Sequence, residues 1–325
     1  MNTVMQCLVH NPFLRNTLKS QLSEFGLARQ FADYIKHYES NTLTPARQYM
    51  FFNLCKVDLT KTLNMEYQND MQEFYLAFFN KMCEQEGNIA LGNENTSRAE
   101  RRLQNAETSD DKFFAKMDLS WWQDNKKTYS DLVPIFSGQF VSQIKCANKQ
   151  CQEVCHNSEV FSNIDLDLTN SNMSNNLEDL IAAFFAPESI ECWKCDKCKK
   201  QGGIKVVKII RKPKTLVLTL KRFDGFSSNK KCNAVTVPYT LTLPDNIHVF
   251  DEQVDYKLYA MGCHQGNQNG GHYYAVCLNE HNEHTWNVIN DTCINELGAR
   301  STANGKNNGI SISAEEPYMF FYISV

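Results

Sequence analysis

Residues 263–276 read CHQGNQNGGHYYAV, and fourteen residues after His272 comes WNVIND, residues 286–291. His272 follows Gly270 and Gly271 and opens a run with strand character. Glycines at such a place allow unusual backbone angles and let a substrate chain come close. If 273–279 and 285–290 pair as a hairpin, Asn290 or Asp291 lands beside His272. An imidazole held by an Asn or Asp side chain is the base half of a Cys-His-Asn/Asp triad. A lone histidine is ordinarily a surface or core residue. The glycine pair before it and the Asn-Asp after it set this one apart.

Upstream of this stretch the chain alternates in the manner of strands. The spacing predicts strands over 138–145, 159–168, 204–211, 215–223 and 256–264, then 273–279, 285–290 and 317–324. Leu216–Leu220, Leu-Val-Leu-Thr-Leu, has the composition of a buried strand. The first third of the chain is helical instead. Val4, Met5, Leu8 and Val9 fall at helix spacing before Asn11-Pro12 breaks the run. Segments 17–37 and 45–57 follow, and 68–83 carries the clearest stripe: Met71, Phe74, Tyr75, Phe78, Phe79 and Met82. Residues 84–111 are polar and aperiodic and are expected to form a loop insertion, helical only around Ala99–Leu103. The Asn/Ser-rich stretches 169–176 and 301–309 are expected to be surface loops. Helices first and strands after means an α+β fold. Phe223, Trp286 and the 71–82 stripe are expected to pack the core.

A second constellation lies between the helices and the histidine. Cys146 and Cys151 form a Cys-x4-Cys pair, and Cys195 and Cys198 form a Cys-x2-Cys pair some 44 residues later. Two close pairs at a distance are the sequence form of a zinc ribbon, with each pair on a turn between strands. Soft thiolates close a tetrahedral shell around Zn²⁺. Cys155 and Cys192 lie close by as alternative ligands. Such a site staples hairpins together; it is structural and says nothing of catalysis.

The bulk composition limits the remaining classes. A net charge of −4 without a basic cluster argues against nucleic acid as a partner. No apolar run is long enough to span a bilayer, and Met1–His10 lack a secretion signal, so no membrane partner is expected. Thirteen cysteines, an odd number, in a chain too long to need disulfides point to a reducing, intracellular compartment, cytoplasmic or nuclear. Oligomeric state is not written in the sequence.

Taken in order, several segments resemble one family, the ubiquitin-specific proteases. MNTVMQCL (1–8) is similar to the helix that follows the family's catalytic cysteine, and YQNDMQEFYLAFFNKM (67–82) to its Gln-Asp-x-x-Glu-Phe helix. FSGQFVSQIKC (136–146) and WKCDKC (193–198) resemble its two metal knuckles, and LVLTLKRF (216–223) its Leu-Lys-Arg-Phe strand. YKLYAMGCHQGNQNGGHYYAV (256–276) with WNVIND resembles the histidine box, and PYMFFYISV (317–325) the closing strand. The resemblance implies one papain-like catalytic domain over 1–325, shaped like a right hand. Its helical thumb would span mainly 1–130, its zinc-ribbon fingers 138–210, and its β palm 211–325.

The resemblance also implies a reaction: hydrolysis of the isopeptide or peptide bond after the C-terminal glycine of ubiquitin. His272 would be the general base and then the acid. Asn290 would stand at the third triad position, with Asp291 beside it. Asp70 would pair with arginine in ubiquitin's tail. Glu73 and Tyr273 would line the same channel, with Gly270 and Gly271 in a mobile loop over it. Zn²⁺ would be the only cofactor, and ubiquitin and ubiquitinated proteins the partners.

The sequence departs from the family at the nucleophile. The family pattern Asn-x-Cys-(Tyr or Phe)-Met-Asn meets this chain only at Met1-Asn2, so the cysteine would sit two residues before Met1. The expectation is a chain cut just after its catalytic cysteine. The alternative is a catalytically dead, ubiquitin-binding pseudoprotease. Cys7 sits about two turns into the helix, away from the N-terminus where a dipole and an imidazole would lower a thiol pKa.

Overall fold

The computed structural model describes residues 1–325 except 21, 169–174, 224–229, 245–246, 250–253, 268–269, 280–281 and 299–315. Of the expected surface loop at 169–176, residues 169–174 lie outside the described residues and Asn175–Asn176 form a short strand; the expected loop at 301–309 lies wholly outside them.

The chain begins with α1 (Asn2–Val9), whose side chains from Thr3 to Val9 are all buried. A helix buried on every face is a central pillar rather than a surface element. Asn11 ends the turn that follows. Its Oδ1 accepts the Leu14 N–H at 2.8 Å and caps α2 (Pro12–Leu18), with Pro12 in the first helical turn. Its Nδ2 donates to Thr215 Oγ1 at 2.8 Å and to the Tyr259 hydroxyl at 3.0 Å. One buried amide therefore starts a helix and ties it to two strands of the sheet.

Next come α3 (Leu27–Glu39), α4 (Pro45–Leu59) and α5 (Met71–Glu86). The stripe from Met71 to Met82 is buried throughout, as its spacing predicts. Phe31, Phe51 and Phe78 meet in edge and stacked contacts between these helices, and Phe74 stacks on Phe78 within α5.

The polar stretch after Glu84 is not a loop. It forms a helical hairpin, α6 (Ile89–Gln104) and α7 (Ser109–Asp124). Asn88 and Thr108 cap the two helices through the N–H groups of Leu91 and Asp111, each at 3.0 Å. The buried face of α6 is Gly92, Thr96 and Ala99. A Cβ on Gly92 would come within 2.1 Å of the Lys126 carbonyl oxygen, so the helix packs there by having no side chain. A face made of small residues leaves no hydrophobic stripe to read.

After α8 (Val133–Phe136) come β1 (Gly138–Cys146), β2 (Val154–Phe161), β3 (Ile164–Leu166), β4 (Asn175–Asn176) and α9 (Leu177–Phe184). Then follow β5 (Glu188–Lys194), β6 (Gln201–Arg211), β7 (Thr215–Leu220), β8 (Val235–Thr236) and β9 (Thr240–Thr242). The chain closes with β10 (Asp255–Asn267), β11 (Gly270–Asn279), β12 (Asn282–Asn290), β13 (Cys293–Gly298) and β14 (Pro317–Ser324). Among the described residues β2-β1-β6-β5 form an antiparallel sheet, and β13-β12-β11-β10-β14-β7-β3 a larger one in which β9 also pairs with β10. The run predicted over 159–168 is two strands, broken near Ser162 and Asn163, that enter different sheets. The helices pack against one face of the larger sheet through Val217, Tyr259, Ala260, Ala275 and Phe321. Leu216, Leu218, Val276, Phe320 and Trp286 face a second core on the other side.

At Gly262 the sheet approaches the helices closely. A Cβ there would lie 2.1 Å from Met71 Sδ and 3.5 Å from Thr3 Cγ2. The missing side chain lets β10 sit under the starts of both α1 and α5.

Candidate active site and metal centre

His272 lies near the start of β11, and Asn290 ends β12, which pairs with β11 along Ala275–Asn279. The anticipated hairpin has formed. His272 Nε2 lies 2.5 Å from Asn290 Oδ1. An amide oxygen can only accept, so Nε2 carries the proton and Nδ1 presents its lone pair. Asp291 Oδ2 stands 3.7 Å from the same Nε2. Asp291 and Thr292 form the two-residue turn into β13, with Asp291 at φ 52°, a left-handed conformation that Asp tolerates better than most residues. The tight turn keeps Asn290 in register, opposite Cys293, with its side chain on the imidazole.

A cleft of about 470 Å³ lies next to this pair, between the start of α5 and the strands β10, β11 and β14. Asp70, Glu73, Gly270 and Tyr273 all line it. Asp70 is the N-cap of α5: its Oδ1 accepts the N–H groups of Gln72 at 2.8 Å and Glu73 at 3.2 Å. Its Oδ2 accepts the hydroxyls of Tyr273 at 2.9 Å and Tyr318 at 2.8 Å. Burial, with the Asp70 carboxylate next, pushes both phenols well above their ordinary range, so they remain donors. The carboxylate therefore already has four donors, while Glu73 is exposed and makes no side-chain hydrogen bond or ion pair among the described residues.

The glycines act differently from expectation. Gly270 and Gly271 are the first residues of β11, paired with Asn267 and Gly266, rather than part of a loop. Neither has a positive φ; in that hairpin only Gly266 does, at 115°, among the described residues. Gly271 is needed for space, since a Cβ would lie 2.2 Å from His264 Nε2. Gly270 faces open space within the cleft.

Cys146, Cys151, Cys195 and Cys198 come together at the tip of the four-stranded sheet, with their sulfurs all within 4.8 Å of one another. Cys146 and Cys198 are 3.6 Å apart and Cys151 and Cys195 3.8 Å. Tetrahedral zinc with bonds of about 2.3 Å requires sulfurs about 3.8 Å apart, so the cluster can hold a metal ion of that kind. Gln152 and Lys199 adopt positive φ, 52° and 59°, and close the two knuckle turns. Cys155 and Cys192 stay outside the cluster, which removes them as alternative ligands. The Lys200 backbone N–H holds the Cys198 thiol down to about 6, while burial pushes Cys146 up to about 12. Zn²⁺ bound there would join the two hairpins.

A family profile described as Ubiquitin carboxyl-terminal hydrolase matches residues 1–322. The chain belongs to the ubiquitin carboxyl-terminal hydrolase family. Ubiquitin carboxyl-terminal hydrolase 5 of Saccharomyces cerevisiae is 28% identical over 319 residues, covering 84% of this chain and 38% of the relative. Ubiquitin carboxyl-terminal hydrolase Usp2 of Drosophila melanogaster is 30% identical over 339 residues, covering 99% of this chain and 33% of the relative. The chain thus spans between a third and two fifths of the length of these relatives. Among solved structures, a chain of the SAGA DUB module of Ubp8, Sgf11, Sus1 and Sgf73 bound to monoubiquitin superposes with a TM-score of 0.72. It is 19% identical, over 100% of this chain and 66% of that one, and shows that the fold is shared.

Within this ubiquitin carboxyl-terminal hydrolase domain, several cleft residues escape a sequence reading. Gln68 donates to the Gly271 carbonyl at 2.6 Å, and Tyr318 reaches Asp70 from the last strand. Phe223 is not simply core: it lines the cleft against His264 and Tyr318, because its strand β7 has already ended at Leu220. Trp286 is buried as expected. The buried thiols Cys7 and Cys263 are poor nucleophiles. Burial raises Cys7 well above its ordinary value and Cys263 to about 12.

Proposed function

We propose that this domain belongs to a deubiquitinating cysteine protease, a thiol-dependent ubiquitinyl hydrolase that cleaves the bond after ubiquitin's C-terminal glycine. The observation that carries it is the His272–Asn290 contact at 2.5 Å, at the end of a cleft lined by Asp70, Glu73, Gly270 and Tyr273. Ubiquitin's extended tail fills the cleft and brings the last glycine to His272. The nucleophile is the cysteine that the family pattern places at the start of α1. His272 Nδ1 takes the thiol proton, the thiolate attacks the glycine carbonyl, and the imidazolium returns the proton to the departing lysine amine. Water then attacks the thioester, with His272 again the base. Asn290 fixes the tautomer, and Asp291 supplies the negative charge that an amide lacks.

The four donors already on Asp70 support giving the tail arginine to Glu73 first. Asp70 holds the two tyrosines that shape the channel, and a guanidinium reaching it would have to share its oxygens. The helices up to about residue 130 form the thumb, the sheet at 138–210 the zinc-bearing fingers, and 211–325 mainly the palm. The thirteen cysteines, none of them in a disulfide, support residence in a reducing compartment, cytoplasmic or nuclear. Among the described residues no helix is long and apolar enough to cross a membrane.

The test is hydrolysis of a C-terminal fluorogenic ubiquitin amide by the protein with its native sequence upstream of residue 1. Cleavage abolished by His272→Ala, with ubiquitin binding kept, is the expected result. Ubiquitin binding without any cleavage by the unmutated protein would replace the enzyme with the pseudoprotease.

A further inference from the structure

Across the larger sheet, the cleft with Asp70 and Tyr273 lies over β14, β10 and β11. A second cavity, of about 440 Å³, lies beyond the His272–Asn290 pair, over β12 and β13, and is walled by α1, α3 and the start of α4. Gly270 and Tyr273, which bracket His272 in sequence, line the first, and Ile289 and Asp291, which flank Asn290, line the second. If ubiquitin's tail occupies the first, whatever leaves the scissile bond departs over the second.

The second cavity is rich in acceptors. Gln6 on α1 lines it, with only 7% of the residue exposed, and its Oε1 has no hydrogen-bond partner among the described residues. A buried acceptor left without a donor is uncommon and marks a place for a ligand's N–H. Asp291 and Thr292 stand at the mouth on the β12–β13 turn, and Asn287 adds an amide on the wall. Of the two carboxylates lining the cavity, Glu39 is held by Arg15 at 3.2 Å and Lys19 at 3.6 Å. Asp291 faces His272 Nε2 at 3.7 Å, but its side chain is 70% exposed and remains open to an incoming cation as well. Among the described residues no lysine or arginine lines the cavity. Beside it, Ile294 is 66% exposed on β13, the sheet's edge strand among the described residues. An edge strand with an exposed apolar side chain suits an extended polypeptide.

We propose that this cavity receives the acceptor side of the substrate: a lysine or arginine side chain one or two residues from the ubiquitinated lysine. Extended chain advances about 3.3 Å per residue, so a neighbour of the modified lysine reaches past Asp291 while the isopeptide sits at His272. The basic head donates to Asp291 and Gln6 Oε1, and the peptide runs along Ile294. The domain would then prefer ubiquitin on basic segments, a selectivity separate from its recognition of ubiquitin.

This inference rests on the deubiquitinase reading, and the experiment separates the two. The 325-residue chain is titrated calorimetrically with three ligands: ubiquitin, ubiquitin isopeptide-linked to a hexapeptide with arginines flanking the lysine, and the same conjugate with those arginines replaced by alanine. The arginine conjugate is expected to bind about fivefold tighter than the other two, the worth of one partly exposed charge-assisted contact. Thr292→Lys, on the exposed turn, and Gln6→Leu should each erase that gain and leave the affinity for ubiquitin itself unchanged. Equal affinity for all three ligands, or a gain that survives both substitutions, would overturn the inference and leave the deubiquitinase reading standing. Failure to bind ubiquitin at all would overturn both.

Discussion

The Tyr318 hydroxyl donates to Asp70 Oδ2 across 2.8 Å, joining the last strand of the chain to the first turn of α5. Tyr273 donates to the same oxygen from β11, so one carboxylate fixes both walls of the cleft. Asp70→Ala removes the helix cap, worth about 1 kcal/mol, and strands two phenols, Tyr318 buried and Tyr273 half-buried, at about 1–3 kcal/mol together. Urea unfolding should show a loss of about 2–4 kcal/mol. Asp70→Asn keeps an N-cap oxygen and should lose clearly less. Any loss of activity in Asp70→Ala is therefore partly a loss of structure.

Glu73 separates recognition from stability. Its side chain is exposed, so Glu73→Ala should change unfolding free energy by under about 0.5 kcal/mol. Affinity for ubiquitin should fall about five- to twentyfold, and a ubiquitin whose tail arginines are replaced by alanine should bind wild type and variant alike. Full affinity in Glu73→Ala would return the arginine to Asp70.

The four-cysteine cluster should hold one zinc, measured by metal analysis of the purified protein. Cys198→Ser should lose the metal and lower Tm by about 10 °C or more, since metal binding and folding are one equilibrium. Cys155→Ser, outside the cluster, should keep it. Retention of zinc by Cys198→Ser would contradict the assignment.

How much of this was legible in the sequence depended on how each element is buried. The Met71–Met82 stripe and Leu216–Leu220 were legible because large apolar side chains carry the packing. The hairpin of α6 and α7 was not, because its inner face is Gly92, Thr96 and Ala99. β5 and β13 were missed for the opposite reason: both are edge strands with mostly exposed side chains, and no alternation shows. The histidine pair and the cysteine knuckles were legible as local motifs. Gln68 and Tyr318 were not, since their partners lie about two hundred or more residues away in sequence and only the packed sheet brings them to the cleft.

His264 should give the domain an acid-sensitive step. Burial, then Lys230, lowers its imidazole to about 4. The unfolded chain would bind that proton near pH 6.5 and the folded chain only near pH 4. The contribution to stability is therefore intact above about pH 6.5 and is lost as pH falls through that window. The loss is on the order of 2–3 kcal/mol by pH 4. His264→Gln should flatten the pH dependence of unfolding between pH 6.5 and 4 relative to wild type. An unchanged slope would show that the buried imidazole is not the group responsible.

His272, oriented by Asn290, is proposed as the base of a ubiquitin hydrolase. The most direct measurement is kcat/KM on a fluorogenic ubiquitin amide for the protein with its native upstream sequence, for His272→Ala and for Asn290→Ala. The wild type should turn over, His272→Ala should lose about 10³-fold or more, and Asn290→Ala about 10- to 100-fold, with ubiquitin affinity unchanged in both. Turnover that persists in His272→Ala would contradict that role.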